Sequence, residues 1–153
     1  MRPAILTRSA FLMPMIILIV GLSVRVAYVY ESNRDIACHM PIIDAATYHV
    51  QAQSIIGGVS DNGKLFWQPP LYPYWLSLVY RSVGVSPARA RYVQALLGAI
   101  ACVLVFALGW RIHGKWVGLI AGLLVSVNGP LVFFDGQLLP ATLAAAMDLV
   151  AVL

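Results

Sequence analysis

The sequence predicts an all-α, polytopic membrane protein with three full transmembrane helices, a truncated fourth, and two juxtamembrane helices in its first long loop. Three observations carry that prediction. Of 153 residues, 61% are apolar and only 10% charged, against roughly 45–50% and about 25% in an average soluble domain. Mean hydropathy is +0.84. The apolar residues also gather into runs of about 20, the length that crosses roughly 30 Å of hydrocarbon at about 1.5 Å per residue. A soluble domain of this size needs a charged rim that ten basic and six acidic side chains do not supply. Soluble enzymes, nucleic-acid modules and disordered linkers are thereby excluded. The net charge of +4 comes from scattered basic residues, so membrane lipid rather than nucleic acid is the expected partner of that charge.

The whole chain, 1–153, reads as one incomplete transmembrane domain. Its first span is about 10–30, where Ser23 and Arg25 are the strongly polar members. A cleaved signal peptide competes, but the run is too long and Arg25-Val26-Ala27-Tyr28 is a poor cleavage site. Arg25 is close enough to the helix end to snorkel. The loop over 31–86 should hold two short helices. Asp44–Ile56 is stopped by Gly57-Gly58, and Leu71–Val83 runs from the Pro69-Pro70 break to Gly84. Trp67, Tyr72, Tyr74, Trp75 and Tyr80 place the second of these at the lipid headgroup level.

Span two is about 87–110, with Ser86-Pro87 as N-cap and first helical residue. Span three, about 116–134, follows an Arg111–Lys115 turn and bends late at Asn128-Gly129-Pro130. Residues 138–153 read as a fourth span that stops short, about 24 Å long. The chain is therefore expected to be the N-terminal portion of a longer protein, inactive by itself. Gly118/Gly122 and Ala141/Ala145, four apart, permit close helix contacts. Asp148, deep in the last run, calls for a partner.

Charge leaves the orientation open. Arg2, Arg8, Arg111 and Lys115 lie on one side, and Arg34, Lys64, Arg81, Arg89 and Arg91 on the other, so the positive-inside rule does not choose. The cysteines, Cys38 and Cys102, fall at different depths and suggest no disulfide.

Asp44, Tyr48 and Gln51 fall within about 60° of arc on a helical wheel, a polar face beside the membrane. The plain alternative is that Asp44 caps the helix and Tyr48 anchors it. Cys38, His39 and His49 hint at zinc, but His49 is about 140° from Asp44 on the wheel, so the set does not converge and no metal site is assigned.

Four motifs then occur in order: Asp44, Tyr48, Ala52, Ile55 and Gly58; Gln68–Pro73 (QPPLYP); Arg91–Gly98 (RYVQALLG); and Phe133–Leu139 (FFDGQLL). Their order and spacing resembles the N-terminal part of GT-C membrane glycosyltransferases of the dolichyl-phosphate-mannose-protein mannosyltransferase-like group, glycosyltransferase family 39. Among these it looks most similar to bacterial members that carry tetratricopeptide repeats. The resemblance extends over residues 44–153.

It implies transfer of a sugar from a polyprenyl-phosphate donor to an acceptor hydroxyl, with inversion, on the extracytoplasmic face of the cell (inner) membrane, with the N-terminus cytoplasmic. By motif position Asp44 is the general base, and Asp135 a second catalytic acid. Together they could hold a divalent metal ion, although no cofactor is assigned. Tyr48 and Gln51 are candidate substrate-binding residues, and Arg89 or Arg91 would hold the donor phosphate. The chain departs from the pattern where Ala45 follows Asp44, since protein mannosyltransferases commonly have two adjacent acids there, and where Ala141 replaces a glutamate of many relatives. The acceptor is left unidentified. Two other classes remain beside the enzyme: a transporter or flippase subunit, and a small membrane scaffold.

Overall fold

The structure, a computed structural model, describes residues 8–34, 41–58 and 68–153, with the side chains of 8–10 excepted. Cys38, His39, Lys64 and Trp67 lie outside the described residues. Seven helices make up the described part: α1 (Arg8–Ser32), α2 (Asp44–Ile56), α3 (Leu71–Val83), α4 (Pro87–His113), α5 (Lys115–Ser126), α6 (Gly129–Asp135) and α7 (Ala141–Val152). There is no strand among the described residues.

α2 and α3 begin and end where local signals place them. Gly58 at φ 66° and Gly84 at φ 83° adopt the left-handed backbone that follows a helix end. Ser86 is the N-cap of α4, extended at φ −150°, and its Oγ accepts from Arg89 N at 3.4 Å. α4 continues through Arg111 and His113, so the expected five-residue turn shrinks to Gly114 at φ 91°. The α4–α5 hairpin is correspondingly tight. A Cβ on Gly118 would lie 2.5 Å from Phe106 O and 2.8 Å from Trp110 N, so only glycine lets these backbones approach.

Two helices, Phe11–Ser32 and Pro87–His113, are long and apolar enough to cross a membrane, and α5 with α6 makes a third if that bent pair is one span. The pair breaks by 61°. Pro130 stands in the first turn of α6, and Asn128 Oδ1 accepts from Leu131 N at 3.2 Å, so a new helix starts there. The expected fourth span is shorter than drawn: Leu138 turns into the core, Pro140 precedes the helix, and α7 has 12 residues.

α4, about 40 Å long, is the element against which α1, α5 and α7 pack, and α2 packs on α3 at its N-terminal end. The outside of the bundle is apolar, with Phe11, Leu124, Val150 and Ile120 exposed, while Arg25, Gln94, Ser126, Asp135 and Thr142 are buried. This inside-out distribution suits a protein dissolved in lipid, where apolar surface costs nothing and polar groups must satisfy one another.

The α2–α3 unit has its own core, formed by Tyr48, Ala52, Tyr72, Leu76, Val79 and Tyr80 with Ala90 and Leu138. Tyr72 and Tyr80 are therefore buried rather than headgroup anchors, and Tyr74 is the exposed tyrosine of the helix. Ala141 and Ala145 are exposed on α7 and line a cavity instead of a helix contact. Asp148 is exposed on α7 and makes no hydrogen bond or ion pair among the described residues.

Candidate functional site

Asp44 is the first residue of α2, and no side chain caps that helix. An acid in a first turn is favoured there by the helix dipole. Its carboxylate is held from across the loop: Gln68 Nε2 donates to Asp44 Oδ1 at 3.0 Å. Oδ2 has no partner among the described residues. The residue before it, Ile43, has φ 52° and ψ −121°, a conformation that a β-branched side chain adopts only under constraint.

Asp44 opens into a cavity of about 200 Å3 formed with Ile42, Ile43, Ala45, Gln137 and Leu139. The N-terminus of α2 supplies one wall and the α6–α7 turn supplies the other. Ile42 and Ile43 are 68% and 81% exposed. The cavity thus presents one carboxylate and one amide among aliphatic walls.

Tyr48 and Gln51 share a helix face with Asp44, but that face turns into the protein one turn later. The Tyr48 ring packs edge-on against Tyr72, centroids 4.9 Å apart. Burial, then the Asp44 charge, raises the pKa of its phenol above the usual tyrosine value. Gln51 Oε1 is buried with no hydrogen-bond partner among the described residues. Neither lines the Asp44 cavity. On the next face His49 Nδ1 lies 2.7 Å from Tyr80 Oη. Burial lowers the His49 pKa, and it pushes Tyr80 up to about 12, against the opposing pull of Arg91.

The two arginines differ sharply. Arg89 is exposed, and its guanidinium turns back to donate to Val83 O, closing the C-terminal end of α3. Arg91 is 5% exposed; its Nη1 donates to Asn33 Oδ1 at 2.9 Å, tying α4 to the end of α1, and Nε has no partner among the described residues.

Asp135 stands apart from Asp44. It is buried at the end of α6, where Arg25 Nε donates to Oδ2 at 2.6 Å and Thr142 Oγ1 donates to Oδ1 at 2.6 Å. Arg25 does not snorkel. It is 1% exposed, and Nη1 also donates to Gly21 O and Ser126 O, each at 3.1 Å. The last of these is a carbonyl left open where α5 breaks.

Gly98 makes room for the pair, since a Cβ there would lie 2.7 Å from Arg25 Nε and 2.6 Å from Asp135 Cγ. A cavity of about 210 Å3 borders it, with Phe134, Ala141 and Leu149 among its walls. With both Asp135 oxygens engaged and Asp44 in a different cavity, these residues do not fit a divalent ion shared between the two acids. No cluster of three metal-ligating side chains occurs among the described residues.

The polar line continues through Gln94, fully buried in α4. Its Oε1 accepts from Tyr72 Oη at 2.8 Å, and its Nε2 donates to Phe134 O at 3.3 Å, to Gln137 O and to Thr142 Oγ1 at 3.4 Å. One amide thereby fastens the α6–α7 turn to α4 and α3. The sequence marks Gln94 as the lone uncharged polar residue of its span but assigns it no role. Gln68, Gln94 and Gln137 all lie inside the recognisable motifs, which is the signal that could have singled them out.

The family model described as dolichyl-phosphate-mannose-protein mannosyltransferase matches residues 67–152, which take in α3 to α7, Gln94, Asp135 and Gln137. No curated protein and no solved structure matches the chain.

Proposed function

Since the chain belongs to the dolichyl-phosphate-mannose-protein mannosyltransferase family, whose model spans more than half of it, we propose that it serves a membrane glycosyltransferase in which Asp44 is the general base. The donor is a polyprenyl-phosphate-linked sugar. The acceptor oxygen attacks the anomeric carbon from the face opposite the phosphate, Asp44 takes the hydroxyl proton, and the bond to phosphate breaks with its electron pair leaving on the polyprenyl phosphate. Attack from the opposite face inverts the anomeric centre. In this reading α2, α3 and the Asp44 cavity lie on the extracytoplasmic side and the N-terminus lies in the cytoplasm.

The observation that carries the reading is the state of Asp44. Gln68 orients its carboxylate, one oxygen is left open, and the cavity it faces is walled mainly by apolar groups. A base must reach the hydroxyl within hydrogen-bond distance, and Asp44, exposed on the wall of an open cavity, is accessible to one. Asp135 has a different task here: it neutralises Arg25 and positions α6 against α1 and α7. Arg91 is the cation assigned to the donor phosphate, because its Nε has no partner among the described residues, whereas the Arg89 guanidinium turns back onto Val83 O. The transporter reading is favoured by ionisable groups clustered at mid-membrane, and the buried pair there, Arg25 with Asp135, is mutually neutralised.

Transfer of labelled mannose from polyprenyl-phosphate mannose, measured in membranes that hold the chain, tests the assignment. Asp44→Asn should lower kcat by about 10²–10⁴-fold while donor affinity stays near the parent's. Undiminished transfer by this variant removes Asp44 as base.

A further inference from the structure

Resting on that reading, we propose that the Asp44 cavity receives a sugar ring as the acceptor, and that Gln137 is the residue that selects it by bonding the hydroxyl next to the one glycosylated. Three features of the cavity point there.

The first is its size. A pyranose displaces on the order of six waters, each about 30 Å3 of liquid, and the cavity holds about 200 Å3.

The second is the pattern of its walls. Ile42, Ile43, Ala45 and Leu139 are aliphatic, and Asp44 and Gln137 are the two polar residues. A pyranose has the matching surface: C–H faces that pack on aliphatic groups and a rim of neighbouring hydroxyls. Asp44 accepts from the attacking hydroxyl, and an amide, which both donates and accepts, suits the neighbour. The Gln137 side chain is free for this. Among the described residues it makes no hydrogen bond, and its backbone does the structural work.

The third is rigidity. Gln137 O accepts from the buried Gln94 amide, and from Leu139 N at 2.9 Å. Leu138 between them is 1% exposed, inside the α2–α3 core. The backbone that carries Gln137 is thus pinned on both sides, so its side chain starts from a fixed point on the cavity wall. A site whose polar group bonds a substrate hydroxyl rejects the analogue lacking it, because that group is then left unpaired.

The test uses the full chain in lipid nanodiscs, with methyl glycosides of mannose, glucose and galactose as probes and a serine-containing peptide as the alternative acceptor. Equilibrium binding of the glycosides, measured without donor, should saturate for at least one of them, and Gln137→Ala should weaken it by about threefold to tenfold, the loss of one hydrogen bond. The deoxy analogue lacking the neighbouring hydroxyl should bind the parent and Gln137→Ala equally.

In transfer from polyprenyl-phosphate mannose, Gln137→Ala should raise the glycoside KM and leave the donor KM unchanged. Gln137→Glu, which keeps the size but loses the amide's two donors, should raise the glycoside KM as well. Absence of saturable glycoside binding, binding indifferent to Gln137→Ala, or label carried only by the peptide overturns the proposal. Failure of the glycosyltransferase reading looks different: glycoside binding still depends on Gln137, but transfer survives Asp44→Asn.

Discussion

Arg25 Nε donates to Asp135 Oδ2 at 2.6 Å, an ion pair between residues 110 apart in sequence that ties α1 to α6 inside the bundle. Each charge alone would be costly in that setting. Together, with Thr142 Oγ1, Gly21 O and Ser126 O completing their hydrogen bonds, they form a neutral unit.

Removing one partner should therefore do more harm than removing both. Asp135→Ala strands a buried guanidinium and should lower stability by about 3–5 kcal/mol, as breaking a buried pair does. The double variant Arg25→Met with Asp135→Leu should recover most of that loss. Thermal unfolding in detergent would measure both, and equal destabilisation by the single and double variants would contradict the pairing argument.

Arg89 and Arg91 should separate in opposite measurements. Arg89→Ala removes the donor to Val83 O at the end of α3 and should cost about 0.5–1.5 kcal/mol of stability, with donor KM near the parent's. Arg91→Ala should raise donor KM, and Arg91→Lys should restore only part of it, since an ammonium lacks the guanidinium's planar fork of donors. A donor KM insensitive to Arg91→Ala would take the phosphate away from Arg91.

His49 makes stability depend on pH. Its pKa is lowered from 6.5 by burial, so between its folded and unfolded values the unfolded chain binds more protons, and stability falls as pH drops below about 6.5. The stabilisation is complete above the unfolded value and is lost as pH falls through the folded one. His49→Phe should flatten this part of the unfolding-temperature profile, and a slope unchanged in that variant would point to another group.

Much of this arrangement is legible in the residues. The bounds of α2 and α3 follow from Gly57-Gly58, Pro69-Pro70 and Gly84, and the start of α4 from Ser86-Pro87, because helix ends are set by residues within a turn of them. Spans one and two follow as directly from run length and hydropathy, and the resemblance of the motifs to the mannosyltransferase family agrees with the match over residues 67–152.

Asp44 is likewise singled out by sequence, but its cavity is not. The opposite wall comes from Gln137 and Leu139, which reach α2 only once α4 has been crossed and α5 and α6 have returned.

What the sequence by itself determined, then, is what short-range forces decide: which segments are helical, which are apolar enough for lipid, and where each helix stops. Tertiary structure alone decided where each polar side chain found its partner. A helical wheel relates Asp44, Tyr48 and Gln51 to one another but not to a neighbouring helix, so it could not tell that Tyr48 turns inward onto Tyr72 while Asp44 stays open. Arg25 at the end of a span reads equally well as a snorkelling side chain or a buried one. The choice fell to Asp135 on α6, because a buried charge takes its place only where an opposite charge has been packed against it.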